Sequence, residues 1–151
     1  MRAIKWIKMH TQTLLDCTGA PPKKLCLHAA EYLADIHNVS ADESIRWEIP
    51  TMLRHSETLE ISAYLQFMFY EPIFYHDPME TYPISKEKAG YWVGVAHHVG
   101  DNLTYKILTA DSSRILTCSI VRPTNPCLHP SKRVPFTPSP LLPHSPSYPL
   151  P

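Results

Sequence analysis

Apolar side chains recur at helical spacing through the first 38 residues. They are Ile4, Ile7, Leu14 and Leu15, followed by Leu25, Ala29, Leu33 and Ile36. Between the two groups, "TGAPP" supplies a glycine that suits the end of a helix and prolines that suit the start of another. The pattern predicts a helical hairpin over residues 1–38. Such a hairpin buries too little surface to be stable alone, so either the second half of the chain supplies a packing surface or that surface is missing.

Residues 39–62 are polar, with isolated apolar side chains at Trp47, Ile49 and Leu53. Pro50 is well placed to begin a short helical turn. We interpret this segment as a structured connector that these three side chains anchor.

The period changes from helix to strand in residues 63–122. In "YLQFMFYEPIFY", Leu65, Phe67 and Phe69 alternate with a second set of side chains, and Pro72 places the segment at a bulge or a sheet edge. The runs "GYWVGVA", "LTYKILT" and "RILTCSIVR" follow, joined by segments rich in turn-forming residues. Four short strands predict a small antiparallel barrel, and the fold class is therefore α+β.

Three of the four glycines surround the run "GYWVGVA". Glycine near or inside a strand marks a bulge, a barrel corner or a close backbone approach. We expect Gly90 to open a strand, Gly94 to bend it and Gly100 to close the following turn.

Ten of the last 29 residues are proline, and residues 123–151 show neither period nor charge pattern. Because this tail has few backbone donors, we expect polyproline II or disorder. "PFTPSP" and "PLLPHSP" contain the Pro-x-x-Pro spacing that fits aromatic grooves, so the tail is a candidate ligand for an SH3 or WW domain.

Composition narrows the classes of function. Fourteen basic side chains balance 14 acidic ones, so no global charge indicates a nucleic-acid partner. The four cysteines lack the close pairing of a disulfide scaffold or a zinc ribbon, and we expect reduced thiols. No apolar run approaches the ~18 residues of a membrane span. We therefore expect an intracellular protein, nuclear or cytoplasmic, that does not contact membranes.

Candidate chemistry is sparse. A zinc site can be drawn from Cys26, His28, His37, His97 and His98, but residues two apart on a helix face different sides and adjacent histidines rarely reach one ion. No nucleophile elbow and no phosphate-binding glycine loop occurs. We expect no enzyme activity, no metal, no cofactor and no small-molecule substrate.

The aromatic cluster allows a second interpretation. Exposed rings can stack on nucleic-acid bases. We expect Phe67 and Phe69 in the core, which leaves Tyr70 and Tyr75 as the exposed pair.

Five segments occur in a distinctive order: "LLDCTGAPPKKLCLHAAEYLADIHN", a Trp-x-x-Pro motif, "YLQFMFYEPIFY", "GYWVGVAHHVGDNLTYKILT" and "RILTCSIVRP". This order, over about residues 7–123, resembles the C-terminal part of a copia-type retrotransposon integrase. In that family the last helices of an RNase H-like catalytic core precede an SH3-like barrel. The barrel-motif positions that the resemblance implies are Gly90, Val93, Gly94, Gly100, Tyr105, Ser119 and Val121.

The resemblance implies a non-catalytic fragment of a Pol polyprotein. Integrase chemistry needs two aspartates and a glutamate that hold two divalent metals, and these would fall before or at Met1. Asp16, Glu31 and Asp35 lie among helical positions that need solvating charge, so we expect no catalytic role for them.

The resemblance also implies contacts with DNA or with other integrase chains. The implied phosphate-contact residues are Lys86, Lys88, Lys106, Arg114 and Arg122. They would bind without reading sequence. Carboxylates in the same region leave open that these are scattered surface charges. Two functions follow: an integrase remnant with weak DNA binding, whose family process is DNA integration, or a protein interaction module that uses the barrel or the tail.

Overall fold

The computed structural model describes residues 2–56, 60–100 and 103–124. The helical elements are α1 (Arg2–Thr18), α2 (Pro22–Val39), a 3-10 turn (Glu43–Ile45), α3 (Pro50–His55) and α4 (Ser62–Leu65). The strands are β1 (Pro72–His76), β2 (Glu87–Val95), β3 (Tyr105–Thr109), β4 (Ile115–Cys118) and β5 (Val121–Pro123). Helices followed by an antiparallel sheet confirm the α+β class. From residue 125 onward, the predicted tail lies outside the described residues.

The predicted hairpin is confirmed as α1 and α2. Gly19 has φ +68°, and its N–H donates to the carbonyl of Leu15 at 3.0 Å, which ends α1. Pro22 is the first residue of α2, where a missing N–H costs nothing. Leu25 and Ala29 on α2 are fully buried against the sheet. The second half of the chain therefore supplies the surface that the hairpin needs.

The sheet has the strand order β4-β3-β2-β1-β5, and every neighbouring pair is antiparallel. Both faces carry a buried cluster. The helix-side cluster comprises Leu15, Ala20, Leu25, Ala29, Phe69, Val93 and Leu108. The inner cluster comprises Ala63, Phe67, Ile73, Tyr75, Trp92, Val95, Tyr105 and Ile107. Tyr32 on α2 packs against both clusters and links the hairpin to the sheet.

The glycines of β2 have different roles. The strand begins at Glu87, so the expectation that Gly90 opens it is wrong. A Cβ at Gly90 would lie 2.9 Å from Ile107 Cγ2 and 2.9 Å from the Leu108 carbonyl oxygen, so two strands approach closely there. The register shifts between Trp92 and Gly94, which confirms the predicted bend as a β-bulge.

The strand predicted over "YLQFMFYEPIFY", residues 64–75, is confirmed only in its last part, as β1. The chain forms α4 and then irregular backbone, and β1 starts only at Pro72. Phe67 and Phe69 are both buried as expected, but they enter different clusters on the two sides of the sheet. Tyr70 adopts φ +60°, a left-handed conformation that interrupts a strand.

The connector is not anchored as predicted. Trp47 is 68% exposed and Leu53 is exposed, while Ile49 is half-buried. Backbone bonds hold the turn instead: the Trp47 N–H donates to the Asp42 carbonyl at 2.9 Å, and the Asp42 N–H donates to the Glu48 carbonyl at 3.1 Å. The predicted turn at Pro50 is confirmed as α3.

The segment "RILTCSIVR" forms two strands rather than the single predicted one. A break at Ser119 and Ile120 separates β4 from β5, and these strands lie at opposite edges of the sheet. The described strands form an open sheet, so a closed SH3-like barrel stays a prediction.

Candidate functional site

Two of the five predicted phosphate-contact residues are paired within the sheet region itself. The Lys88 Nζ donates to Asp77 Oδ2 at 3.0 Å and also to Glu80. Lys88 lowers the pKa of the Asp77 carboxyl through this hydrogen bond. The Arg122 guanidinium forms a two-pronged pair with Glu87, with Nη2 to Oε2 at 2.7 Å. These two cations are already neutralised by neighbouring carboxylates.

A third predicted cation forms an ion pair between the sheet and the helical hairpin. The Lys106 Nζ on β3 donates to Glu31 Oε2 on α2 at 3.1 Å, and this bond lowers the pKa of Glu31. Lys86 and Arg114 are exposed, and neither forms an ion pair within the described part of the chain.

The sheet register divides the predicted basic set between two faces. Lys88 pairs with Tyr75, whose side chain lies in the inner cluster. Arg122 and Lys106 alternate with residues of that cluster and so belong to the helix side. The structure therefore places Lys88 on a different face of the sheet from Lys106 and Arg122.

The predicted barrel-motif residues occupy structural positions. Val93 is buried under the hairpin, and Gly94 sits in the bulge where an added Cβ would meet nothing within 4 Å. Gly100 has φ +66°, and an added Cβ would lie 2.7 Å from Thr104 Oγ1. The buried Tyr105 donates its hydroxyl to Gln66 Oε1 at 2.8 Å, and burial raises the pKa of this phenol.

The prediction that Tyr70 and Tyr75 form an exposed aromatic pair is wrong for Tyr75. Tyr75 is only 4% exposed, because it belongs to the inner cluster. Tyr70 is half-buried and stacks on Tyr91, with ring centroids 4.4 Å apart.

The histidines and carboxylates considered for a metal or a catalytic site have separate partners. His97 Nε2 lies 2.9 Å from Asp35 Oδ2, and Gln12 donates to Asp16 at 2.8 Å. His37 faces Asp42 at 3.5 Å. Within residues 2–56, 60–100 and 103–124, no three His, Cys, Asp or Glu side chains come together as a metal site would require.

An apolar groove among the described residues is a feature that sequence reasoning missed. It has a volume of about 510 Å³. Residues 75–79, at the end of β1, form one wall, and residues 116–120, from β4 to the start of β5, form the other. Val99, Gly100 and Thr104 close one end. We call this feature the edge groove, because it follows the outer strand of the sheet.

The edge groove exposes large aliphatic side chains. Met79 is 88% exposed, Ile120 is 65% exposed, and Val99 and Leu116 are also exposed. Apolar residues at such turn positions were the signal available in the sequence, since turns are usually polar.

Polar groups brace the groove walls. The His76 N–H donates to the Ile120 carbonyl at 3.1 Å, and the Cys118 thiol donates to the His76 carbonyl at 3.4 Å. These bonds tie the end of β1 to the break between β4 and β5. Cys118 is therefore held by backbone carbonyls rather than by a basic side chain.

The outer edge of β4 is a potential pairing surface. Thr109 and Arg114 form a hydrogen-bonded pair, with N to O at 2.9 Å, and such pairs alternate along an antiparallel ladder. The backbone groups of Ile115 and Thr117 therefore point away from β3. Within the described residues no backbone partner occupies them.

The chain matches no protein-family model, no curated protein and no solved structure. Among the described residues, none of the helices has the length and apolar character needed to span a bilayer.

Proposed function

We propose that this chain is a non-catalytic binding module that holds an extended segment of a protein partner in the edge groove. In this proposal α1 and α2 correspond to the last helices of a copia-type integrase core, and the sheet corresponds to its SH3-like barrel. We assign no catalysis to the chain, because the resemblance puts the catalytic carboxylates outside it.

The strand connections favour a curled, barrel-like sheet. Five adjacent strands would separate β4 from β5 by roughly 19 Å in a flat sheet. The chain passes from Cys118 to Val121 in three residues, which span at most about 11 Å. The sheet must therefore curl until its two edges approach each other. The edge groove lies in the gap that remains.

The edge groove is the observation that carries the proposal. Exposed aliphatic side chains line it, and beside them runs the outer edge of β4, which has no backbone partner within residues 2–56, 60–100 and 103–124. An extended peptide can satisfy both, because its backbone pairs with a strand edge while alternate side chains enter the groove. Contiguous exposed apolar surface of this kind is typical of protein interaction sites.

A labelled peptide tests this function. The probe is a fluorescein-labelled peptide of alternating leucine and proline, which stays extended and apolar, and its anisotropy is measured against the full chain. Ile120→Asp should weaken binding at least about tenfold, which is ~1.4 kcal/mol. Leu27→Asp, on the exposed side of α2, is the matched control and should leave binding unchanged. Equal binding by all three proteins would reject the edge groove as the site.

DNA binding is the second candidate. It is favoured by the exposed cations Lys86 and Arg114, and by Arg2, Lys5 and Lys8, which are exposed at three-residue spacing on α1. Such a surface would contact phosphates weakly and without reading sequence.

A salt titration tests the second candidate. Anisotropy with labelled duplex and single-stranded DNA should show binding that falls as salt rises. Arg114→Ala should weaken it, whereas Lys88→Ala, which removes a cation already paired with two carboxylates, should not. No binding at high protein concentration and low salt would exclude DNA as a ligand.

A further inference from the structure

We propose that the edge groove is occupied by this chain's own proline-rich tail, through residues 132–138. This inference rests on the proposed function, since it names the ligand of the same groove. The segment reads "KRVPFTP", with two cations followed by apolar and proline residues.

Charge complementarity favours the tail as the occupant. The chain has 14 basic and 14 acidic side chains in total. The residues after Thr124 contain Lys132 and Arg133 and no carboxylate, so the preceding 124 residues hold 12 basic and 14 acidic side chains. The tail and the rest of the chain therefore carry opposite net charge.

Part of this negative charge lies in the wall of the edge groove. Asp77 lies in the wall, and it shares the single ammonium of Lys88 with Glu80. One negative charge is left uncompensated beside the apolar surface. Lys132 and Arg133 are the cations of the tail, and they directly precede Val134, Pro135 and Phe136. The second Pro-x-x-Pro segment, "PLLPHSP", has no lysine or arginine to place there.

The tail has the reach to return to the edge groove. The Thr124 hydroxyl donates to the Pro72 carbonyl at 3.1 Å, at the far end of β1 from the groove. Four residues of strand separate Pro72 from His76, which is about 14 Å. Residues 125–131 are seven residues, and a chain of seven residues reaches up to about 24 Å. Lys132 can therefore arrive at the groove without strain.

Tethering favours the tail over a free partner. A connection as short as seven residues gives an effective concentration in the millimolar range. A segment with an intrinsic Kd of ~1 mM would then fill the groove about half of the time. A free partner at micromolar concentration would need roughly a thousandfold higher affinity to compete equally.

Nuclear magnetic resonance of the full chain tests this occupancy. The tail variant carries Arg133→Glu and Phe136→Asp, and the matched control carries His144→Glu and Leu142→Asp in the second proline segment. The amide resonances of Gly100, Thr104 and Ser119 should move in the tail variant and stay in place in the control. Their positions in the parent chain should not change on dilution. Movement on dilution would instead assign the groove to a second copy of the chain.

A synthetic peptide of residues 131–140, added in trans, separates the two proposals. It should bind the tail variant about twofold more tightly than the parent, because a tethered tail that fills the groove half of the time no longer competes. Adding Ile120→Asp to the tail variant should abolish that binding. Equal affinity for the parent and the tail variant would overturn self-docking and leave groove binding intact. No binding of this peptide to the tail variant would also overturn self-docking, and the alternating leucine and proline peptide would then test the groove function separately.

Discussion

Gly90 lies where β2 and β3 leave no room for a side chain. An added Cβ would meet Ile107 and the Leu108 carbonyl at 2.9 Å, and the Tyr75 ring at 3.3 Å. Gly94, four residues further along the same strand, faces open space in the bulge. Packing between strands therefore requires a glycine at Gly90, whereas Gly94 belongs to the backbone geometry of the bulge.

Gly90→Ala should therefore lower the free energy of unfolding by roughly 1–3 kcal/mol through overpacking. Gly94→Ala, the control, should stay within about 1 kcal/mol of the parent, because its methyl group meets nothing. Urea unfolding measures both. Equal destabilisation by the two substitutions would mean that the close approach at Gly90 is not the cause.

The raised pKa of Tyr64 predicts that the folded state loses stability at alkaline pH. Burial, and then the negative charge of Asp35, raises the pKa of the Tyr64 phenol to about 12. Because the unfolded pKa is about 10, the folded state favours the protonated phenol. This stability is fully present below pH ~10 and is lost as the pH rises towards about 12.

Tyr64→Phe should reduce that alkaline loss of stability, measured by urea unfolding from neutral to high pH. It should not abolish the loss, since burial also raises the pKa of other phenols, namely Tyr32, Tyr70, Tyr75 and Tyr105. An unchanged pH profile in the variant would contradict a half-buried Tyr64 that the fold keeps neutral.

The sequence alone does not predict which carboxylate pairs with each of the five cations. The bulge at Gly94 follows from a glycine within an apolar strand, and the sequence predicts it. The pairing of Lys106 with Glu31 spans 75 residues and depends on how α2 crosses β3. Such a contact is fixed by tertiary packing, so the five cations appear equally free in the sequence.

At the scale of elements, α2 packing on β2 is the principal junction. Leu25 and Ala29 enter the helix-side cluster, and Tyr32 makes an edge-to-face contact with Trp92 at a ring-centroid distance of 5.6 Å. Polar links at Glu31 and Asp35 flank this apolar contact. The hairpin and the sheet therefore share one core.

Leu25→Ala should lower the free energy of unfolding by about 2–5 kcal/mol, because it empties a fully buried site. Leu27→Ala, at a position 74% exposed on the same helix, should change it by less than about 0.5 kcal/mol. The helical circular-dichroism signal and the native Trp92 indole resonance should disappear together as the protein unfolds. A hairpin that melts before the sheet would refute the shared core.

The elements differ in how well the sequence predicts them. The hairpin follows from helical periodicity and from "TGAPP", and β2 and β3 follow from dense apolar runs. The strand predicted over residues 64–75 fails before Pro72, because Phe67 and Phe69 are buried on opposite sides of the sheet, which local alternation cannot indicate. The break between β4 and β5 fails for a similar reason: "CSIV" continues an apolar pattern while the chain crosses between the sheet edges.

At the scale of the whole molecule, most of the predicted phosphate-contact cations are paired, whereas the apolar side chains of the edge groove are exposed. Three of the five predicted phosphate-contact cations pair with carboxylates, whereas the edge groove exposes aliphatic side chains beside the outer edge of β4, which has no backbone partner among the described residues. Desolvating exposed aliphatic surface stabilises a complex, whereas cations that are already paired gain little from a phosphate. The geometry therefore favours a peptide ligand over DNA.

The central claim is that the edge groove binds extended peptide. The most direct measurement is an amide chemical-shift titration of the full chain with the alternating leucine and proline peptide. We predict that the shifted resonances cluster in residues 75–79, 99–104 and 116–120, and that those of α1 stay unchanged. Shifts confined to the hairpin, or none at saturating peptide, would contradict the claim.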